Sequence, residues 1–85
     1  MTGYTLIWQP TAVAGLIRIR SVDPHTAKSI RSAIGAPVHD PQPDGSTPLG
    51  AAGLRRLRIE DARILYEVDE DNRAVQILTV GLLSR

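Results

Sequence analysis

The chain has no cysteine, one lysine, one tryptophan and two histidines in 85 residues. Without cysteine there is neither a disulfide framework nor a thiolate metal site. His25 and His39 stand far apart, with no ligand-type cluster beside either, so neither a metal site nor a cofactor is expected. No apolar run approaches the ~20 residues of a membrane span. Tyr4 to Trp8 is too short for the apolar part of a secretory signal and lacks a basic flank. A cytoplasmic protein without membrane association is therefore the expectation. The net charge of +1 does not by itself mark a nucleic-acid binder.

The distribution of charge says more. Every basic residue except Lys28 is arginine, and Arg55, Arg56, Arg58 and Arg63 fall within one short stretch. Codon usage in a GC-rich genome accounts for the preference for arginine, but not for the clustering. With 42% apolar and 22% charged residues the composition is that of an ordinary globular protein. The length suits a single domain over residues 1–85. Such a domain buries only about 60–65% of the surface its unfolded chain exposes, which leaves little stability in reserve.

Gly3 to Trp8 is rich in aromatic and branched residues and stops before Pro10, which reads as a strand. Thr11 is the expected cap of a helix running to about Arg20. Its apolar residues Ala12, Val13, Leu16, Ile17 and Ile19 cover about 160° of the helical wheel. So wide a stripe fits a helix wedged between a sheet and a second helix, or one partly covered by a partner protein. Gly15 weakens this helix by about 1 kcal/mol relative to alanine. Asp23-Pro24 opens a second helix, with Ala27, Ile30 and Ile34 as its core stripe and Gly35 and Pro37 at its end. His25, in its first turn, reads as a surface residue.

Residues 36–52 hold four of the six prolines and read as an irregular connector, with a turn at Asp44-Gly45. His39 and Asp40 lie in it, with nothing to fix their direction. Three strands follow, over about 53–59, 62–68 and 73–81, the last two joined by the acidic turn Asp69-Glu70-Asp71-Asn72. The expected fold is α+β with element order β-α-α-β-β-β, two helices packed on one face of an antiparallel sheet.

Side-chain alternation divides these strands into two faces. Leu57 and Ile59 share one face, continued on the next strand by Ile64, Tyr66 and Val68. The other carries Leu54, Arg56, Arg58, Arg63, Leu65 and Glu67. If the strands pair, Arg56, Arg58 and Arg63 converge away from the core. A guanidinium is a permanent cation with a planar fork of donors that matches phosphate, so this face is a candidate phosphate site.

The string Leu54-Arg55-Arg56-Leu57-Arg58-Ile59-Glu60-Asp61-Ala62-Arg63-Ile64-Leu65-Tyr66-Glu67-Val68, with the order of elements, resembles the RelE/ParE superfamily of small bacterial toxins. Arg56 to Ile59 and Arg63 to Tyr66 match the family's two strand motifs. Gly35 to Leu49 looks like its connector, Val80-Gly81 like its Val-Gly, and Trp8 to Ala14 like the start of its first helix.

The resemblance implies the toxin of a type II toxin–antitoxin pair. RelE-like members cleave messenger RNA in the ribosomal A site, where the 2′-hydroxyl attacks the neighbouring phosphate and basic side chains stabilise the developing charge. An endoribonuclease is thus implied, with Arg56, Arg63 and Arg58 as catalytic candidates and Arg55 and Arg85 as substrate-binding candidates. The implied partners are a cognate antitoxin and mRNA on the ribosome, with self-association or a hetero-oligomer with the antitoxin left open. The helix-one stripe and Leu82-Leu83 are candidate surfaces for the antitoxin.

Some positions depart from the family. Leu82 and Leu83 stand where members often have His or Lys followed by Arg, so the usual tail acid or base is not matched. Ala62 replaces a common aromatic. Glu60 replaces a glycine, which implies a less demanding backbone at that turn. Three alternatives stay open: a ParE-like inhibitor of DNA gyrase, a member that only binds its antitoxin, and an unrelated domain whose arginines pair with Glu60, Asp61 and Glu67.

Overall fold

A computed structural model describes residues 3–35, 46–50 and 53–83. Strand β1 spans Thr5–Trp8 and helix α1 spans Pro10–Val22. Its cap position is Gln9 rather than Thr11, because Pro10 occupies the first helical position, where its missing N–H costs nothing. The Thr11 hydroxyl instead donates to the carbonyl of Leu78 at 2.6 Å, tying the first turn to the sheet.

Helix α2 spans Pro24–Ala33 and starts as the sequence indicates. The Asp23 carboxylate accepts the Thr26 amide at 3.1 Å and the Thr26 hydroxyl at 2.6 Å. These two donors hold the Asp23 carboxyl below its ordinary pKa.

The remaining strands are β2 (Ser46–Pro48), β3 (Leu54–Ile59), β4 (Ala62–Asp69) and β5 (Ala74–Leu82). They form one five-stranded sheet in the order β1-β5-β4-β3-β2. Pairing is antiparallel from β2 through β5, while β1 lies parallel to β5, with Thr5 opposite Ala74 and Trp8 opposite Ile77. The sheet is therefore mixed, and it gains a short edge strand inside what reads as irregular connector. Asp44-Gly45, His39 and Asp40 lie outside the described residues.

The core lies between the two helices and one sheet face. Ala12, Ile19, Ala27, Ile30 and Ile34 of the helices meet Leu57, Ala62, Ile64, Tyr66, Val75, Ile77 and Val80 of the strands. Among the described residues no buried side-chain polar atom lacks a hydrogen-bond partner. At Gly15 the backbone of α1 comes close to β5. A Cβ there would meet the Val80 carbonyl oxygen well inside van der Waals contact. Although α1 packs on both β5 and α2, Val13 and Ile17 at its outer edge remain 42% and 57% exposed.

Candidate nucleic-acid interface

The β3–β4 hairpin sets the geometry of the site. Its register places Arg58 opposite Arg63, Arg56 opposite Leu65 and Leu54 opposite Glu67. Leu57, Ile64 and Tyr66 are buried, so the alternate residues face away from the helices. Arg56, Arg58 and Arg63 therefore share the open face, as their parity requires. Arg58 and Arg63 are exposed and Arg56 is half-buried.

Directly opposite residues in an antiparallel pair have Cα atoms about 4.5–5.5 Å apart, so Arg58 and Arg63 form a like-charge pair. At about 6 Å in water-like surroundings such a pair costs about 0.7 kcal/mol. That is a small cost for the hairpin. Among the described residues no carboxylate forms an ion pair with Arg56, Arg58 or Arg63. Among the described residues these three arginines are thus not locked to internal acids.

Glu60, at the tip of the hairpin, faces the other way. It accepts a hydrogen bond from the Ser29 hydroxyl at 2.7 Å and lies 3.7 Å from His25 Nε2. His25 itself is a surface residue, with its side chain 80% exposed. Glu60 also corrects the reading of its turn. Its φ of 52° lies in the left-handed region that glycine favours, so the family's glycine is replaced without any easing of the backbone. The helix-side contacts hold the strained residue in place.

Arg55 does not join the cluster. It has the parity of Leu57, lies opposite Tyr66 on the helix side of the sheet, and donates from Nε and Nη2 to the Ser46 hydroxyl at 3.3 and 3.0 Å. Its role is to join β3 to the edge strand β2. Arg85 lies outside the described residues.

The structure adds neighbours that the sequence did not indicate. Thr47 lies opposite Arg56 from β2, and Thr79 and Gly81 lie opposite Leu65 and Arg63 from β5. The pairing of β4 with β5 shifts register between Leu65 and Tyr66, which leaves Leu78 as the extra residue of a bulge. This bulge carries the carbonyl bound by Thr11. Gly81 presents no side chain beside Arg63, leaving room for a ligand at that end of the face.

The acidic β4–β5 turn is organised by Asp69. It accepts the Asn72 side-chain amide at 2.8 Å and the Asn72 backbone amide at 3.1 Å, which hold its carboxyl below the usual range. Tyr4 reaches across from the β1 end to donate to Glu70 at 2.7 Å, which raises the phenol's pKa, and Arg73 lies over its ring at 4.5 Å. Among the described residues no group of three or more His, Asp or Glu side chains could hold a metal ion. No helix there is long and apolar enough to cross a membrane.

The model of the ParE toxin of type II toxin–antitoxin systems matches residues 6–85. The chain belongs to this toxin family. It is similar in structure to the toxin–antitoxin complex RelBE2 of Mycobacterium tuberculosis, at 25% identity and a TM-score of 0.79, covering 94% of this chain and 98% of the other. The archaeal RelE–RelB complex of Pyrococcus horikoshii shares the fold at 22% identity and a TM-score of 0.81, covering 100% and 99% of the two chains. The chromosomal ParDE system of P. aeruginosa does so at 18% identity and a TM-score of 0.78, covering 99% and 100%. No curated protein sequence matches the chain. The RelE/ParE resemblance and the α+β fold with two helices on one sheet face are thus established, and the chain is a toxin of a type II system.

Proposed function

We propose that this toxin acts on messenger RNA at the ribosome, as an endoribonuclease whose open sheet face clamps the scissile phosphate. The observation that carries this reading is the placement of Arg56, Arg58 and Arg63 on one face with no carboxylate paired to them among the described residues. The 2′-hydroxyl of the RNA attacks the adjacent phosphorus and the bond to the 5′-oxygen breaks. The products are a 2′,3′-cyclic phosphate and a 5′-hydroxyl. Fixed cations aimed at the developing negative charge supply about 3–4 kcal/mol per donor. Arg56 and Arg63 fill this role, with Arg58 adding charge opposite Arg63.

An antitoxin is the expected silencing partner, in keeping with the toxin–antitoxin complexes that share the fold. Val13 and Ile17 on α1 and the 38%-exposed Leu82 offer it apolar anchors. A bound amphipathic segment is a common way of covering such a surface.

The second reading is inhibition of DNA gyrase, which needs no proton transfer. Two observations favour it: the family model that matches is the ParE one, and Leu82-Leu83 follow Gly81 where a basic pair is common in the family. Primer extension on message-programmed bacterial ribosomes, run beside a gyrase supercoiling assay, separates the two. New 5′ ends within the ribosomal A site with gyrase unaffected support the ribonuclease. Loss of supercoiling with intact message supports the gyrase reading.

A further inference from the structure

The chemistry proposed above needs a group to accept the proton of the attacking 2′-hydroxyl, and arginine is a poor candidate because it is already protonated. The open face offers few others. Glu60 is turned toward α2 by Ser29 and His25. Asp61 lies in the hairpin turn, beyond the Arg58–Arg63 row. Asp69 is held by the side chain and backbone of Asn72.

Glu67 differs from all three. It lies on β4 with the parity of Arg63 and Leu65, it is exposed, and no hydrogen bond or ion pair engages it among the described residues. Leu54 stands opposite it on β3 and Gln76 opposite it on β5. The Gln76 carbonyl oxygen is occupied by Gln9, whose side-chain amide donates to it at 2.6 Å. Arg56 is the diagonal neighbour of Glu67, at the 7–8 Å or so typical of that relation, within reach of a long side chain.

These residues form successive rows along the hairpin, each two residues or about 6.8 Å from the next. Arg58 and Arg63 occupy the first, Arg56 the second and Glu67 the third. We infer that Glu67 is the general base of the reaction, with Arg56 and its diagonal neighbour Arg63 holding the scissile phosphate and Arg58 holding the backbone further along the RNA. This rests on the ribonuclease reading. The Glu67 carboxylate takes the proton of the 2′-hydroxyl as that oxygen bonds to phosphorus. The 5′-oxygen leaves with a proton from water, and Glu67 returns its own proton to water. Protons balance and no further reagent is required.

Among the described residues the charged groups facing Glu67 are Arg56 from β3 and Asp69 two residues on along β4, while Gln76, opposite it on β5, is uncharged. A cation and an anion thus flank it, and binding of RNA adds phosphate on the Arg56 side.

The test is single-turnover cleavage of message on programmed bacterial ribosomes by the full chain, Glu67→Gln and Glu67→Asp, across a pH series. Glu67→Gln is expected to cleave about 10²–10⁴-fold more slowly, with ribosome and RNA affinity unchanged or slightly tighter because a negative charge is gone. The acid-side fall of the wild-type rate should vanish with it. Glu67→Asp should recover part of the rate. The exposed, unpartnered side chain predicts an unchanged melting temperature for both variants. Wild-type rates in Glu67→Gln, or equal losses in affinity and rate without recovery in Glu67→Asp, would overturn the assignment and leave the ribonuclease reading standing. A wild-type chain that cuts no message would overturn that reading, and this one with it.

Discussion

Replacing Gly15 by alanine sets two effects of opposite sign against each other. Alanine in place of glycine inside a helix stabilises by about 1 kcal/mol. At this position, however, the new methyl would overlap the carbonyl oxygen of Val80, a backbone atom of β5. A flexible side chain could turn away, but a strand carbonyl fixed in its ladder cannot. Overpacking of this kind typically costs about 1–3 kcal/mol, and the rigid partner puts this case toward the upper end. The net expectation is a destabilisation of about 1–2 kcal/mol. For a domain of this size, that lowers Tm by about 5–15 °C. Circular dichroism melts of wild type and Gly15→Ala, with urea midpoints to match, measure it. The next residue along β5, Gly81, pairs with Arg63, so a displaced strand should also disturb the arginine face. A raised Tm in Gly15→Ala would refute the close approach of α1 to β5, because helix propensity would then be acting alone.

Binding of single-stranded RNA should weaken with salt, since three neutralised phosphates give a slope of about −2 in a plot of log affinity against log salt concentration. Arg56→Ala or Arg63→Ala should flatten that slope by about 0.7, measured by fluorescence anisotropy at several salt concentrations. Stability should fall in acid through Asp23. Its carboxyl is depressed in the folded state, so its contribution is fully present above the ordinary value of 3.8 and is lost as pH drops through the lower folded value. Urea midpoints recorded from neutral pH into acid should decline less steeply in Asp23→Asn, which should already be less stable at neutral pH. Asp69, depressed by Asn72, acts in the same direction.

Much of the fold can be read from local chemistry. Alternation across Leu57, Ile59, Ile64 and Tyr66 fixes which way Arg56, Arg58 and Arg63 point, because parity survives any small error in strand ends. Asp23-Pro24 is equally legible, since cap and first-turn proline act within a few residues. The same parity places Arg55 beside Leu57 on the helix side, where it binds Ser46. Charge alone had grouped it with the others. The parallel pairing of β1 with β5 is not legible, because periodicity marks a strand and says nothing of its neighbour. Strand β2 escapes for another reason. Ser46-Thr47-Pro48 has three residues, one of them proline, and only the edge of a sheet accommodates it. Thr11 shows how a good capping residue yields to context, since Pro10 claims the first helical position and the hydroxyl is spent on the bulge of β5.

In the site itself, residue types were legible and directions only partly so. Glu60 and Asp61 are the carboxylates nearest the arginines in sequence. The left-handed backbone at Glu60 and its bond to Ser29 turn that side chain toward α2, and this depends on a contact between residues far apart in the chain. Glu67 lies further along the strand, yet it stays on the arginine face because β4 alternates without interruption and the bulge falls on β5.

The most direct test of the account is the rate of message cleavage on programmed ribosomes by wild type and by Arg56→Ala, Arg58→Ala and Arg63→Ala, each checked for an unchanged melting curve. Loss of about 10²–10³-fold in Arg56→Ala and in Arg63→Ala, with a smaller loss in Arg58→Ala, is the predicted result. Cleavage by Arg56→Ala and by Arg63→Ala at the wild-type rate would contradict it, because the open sheet face would then have no part in the chemistry.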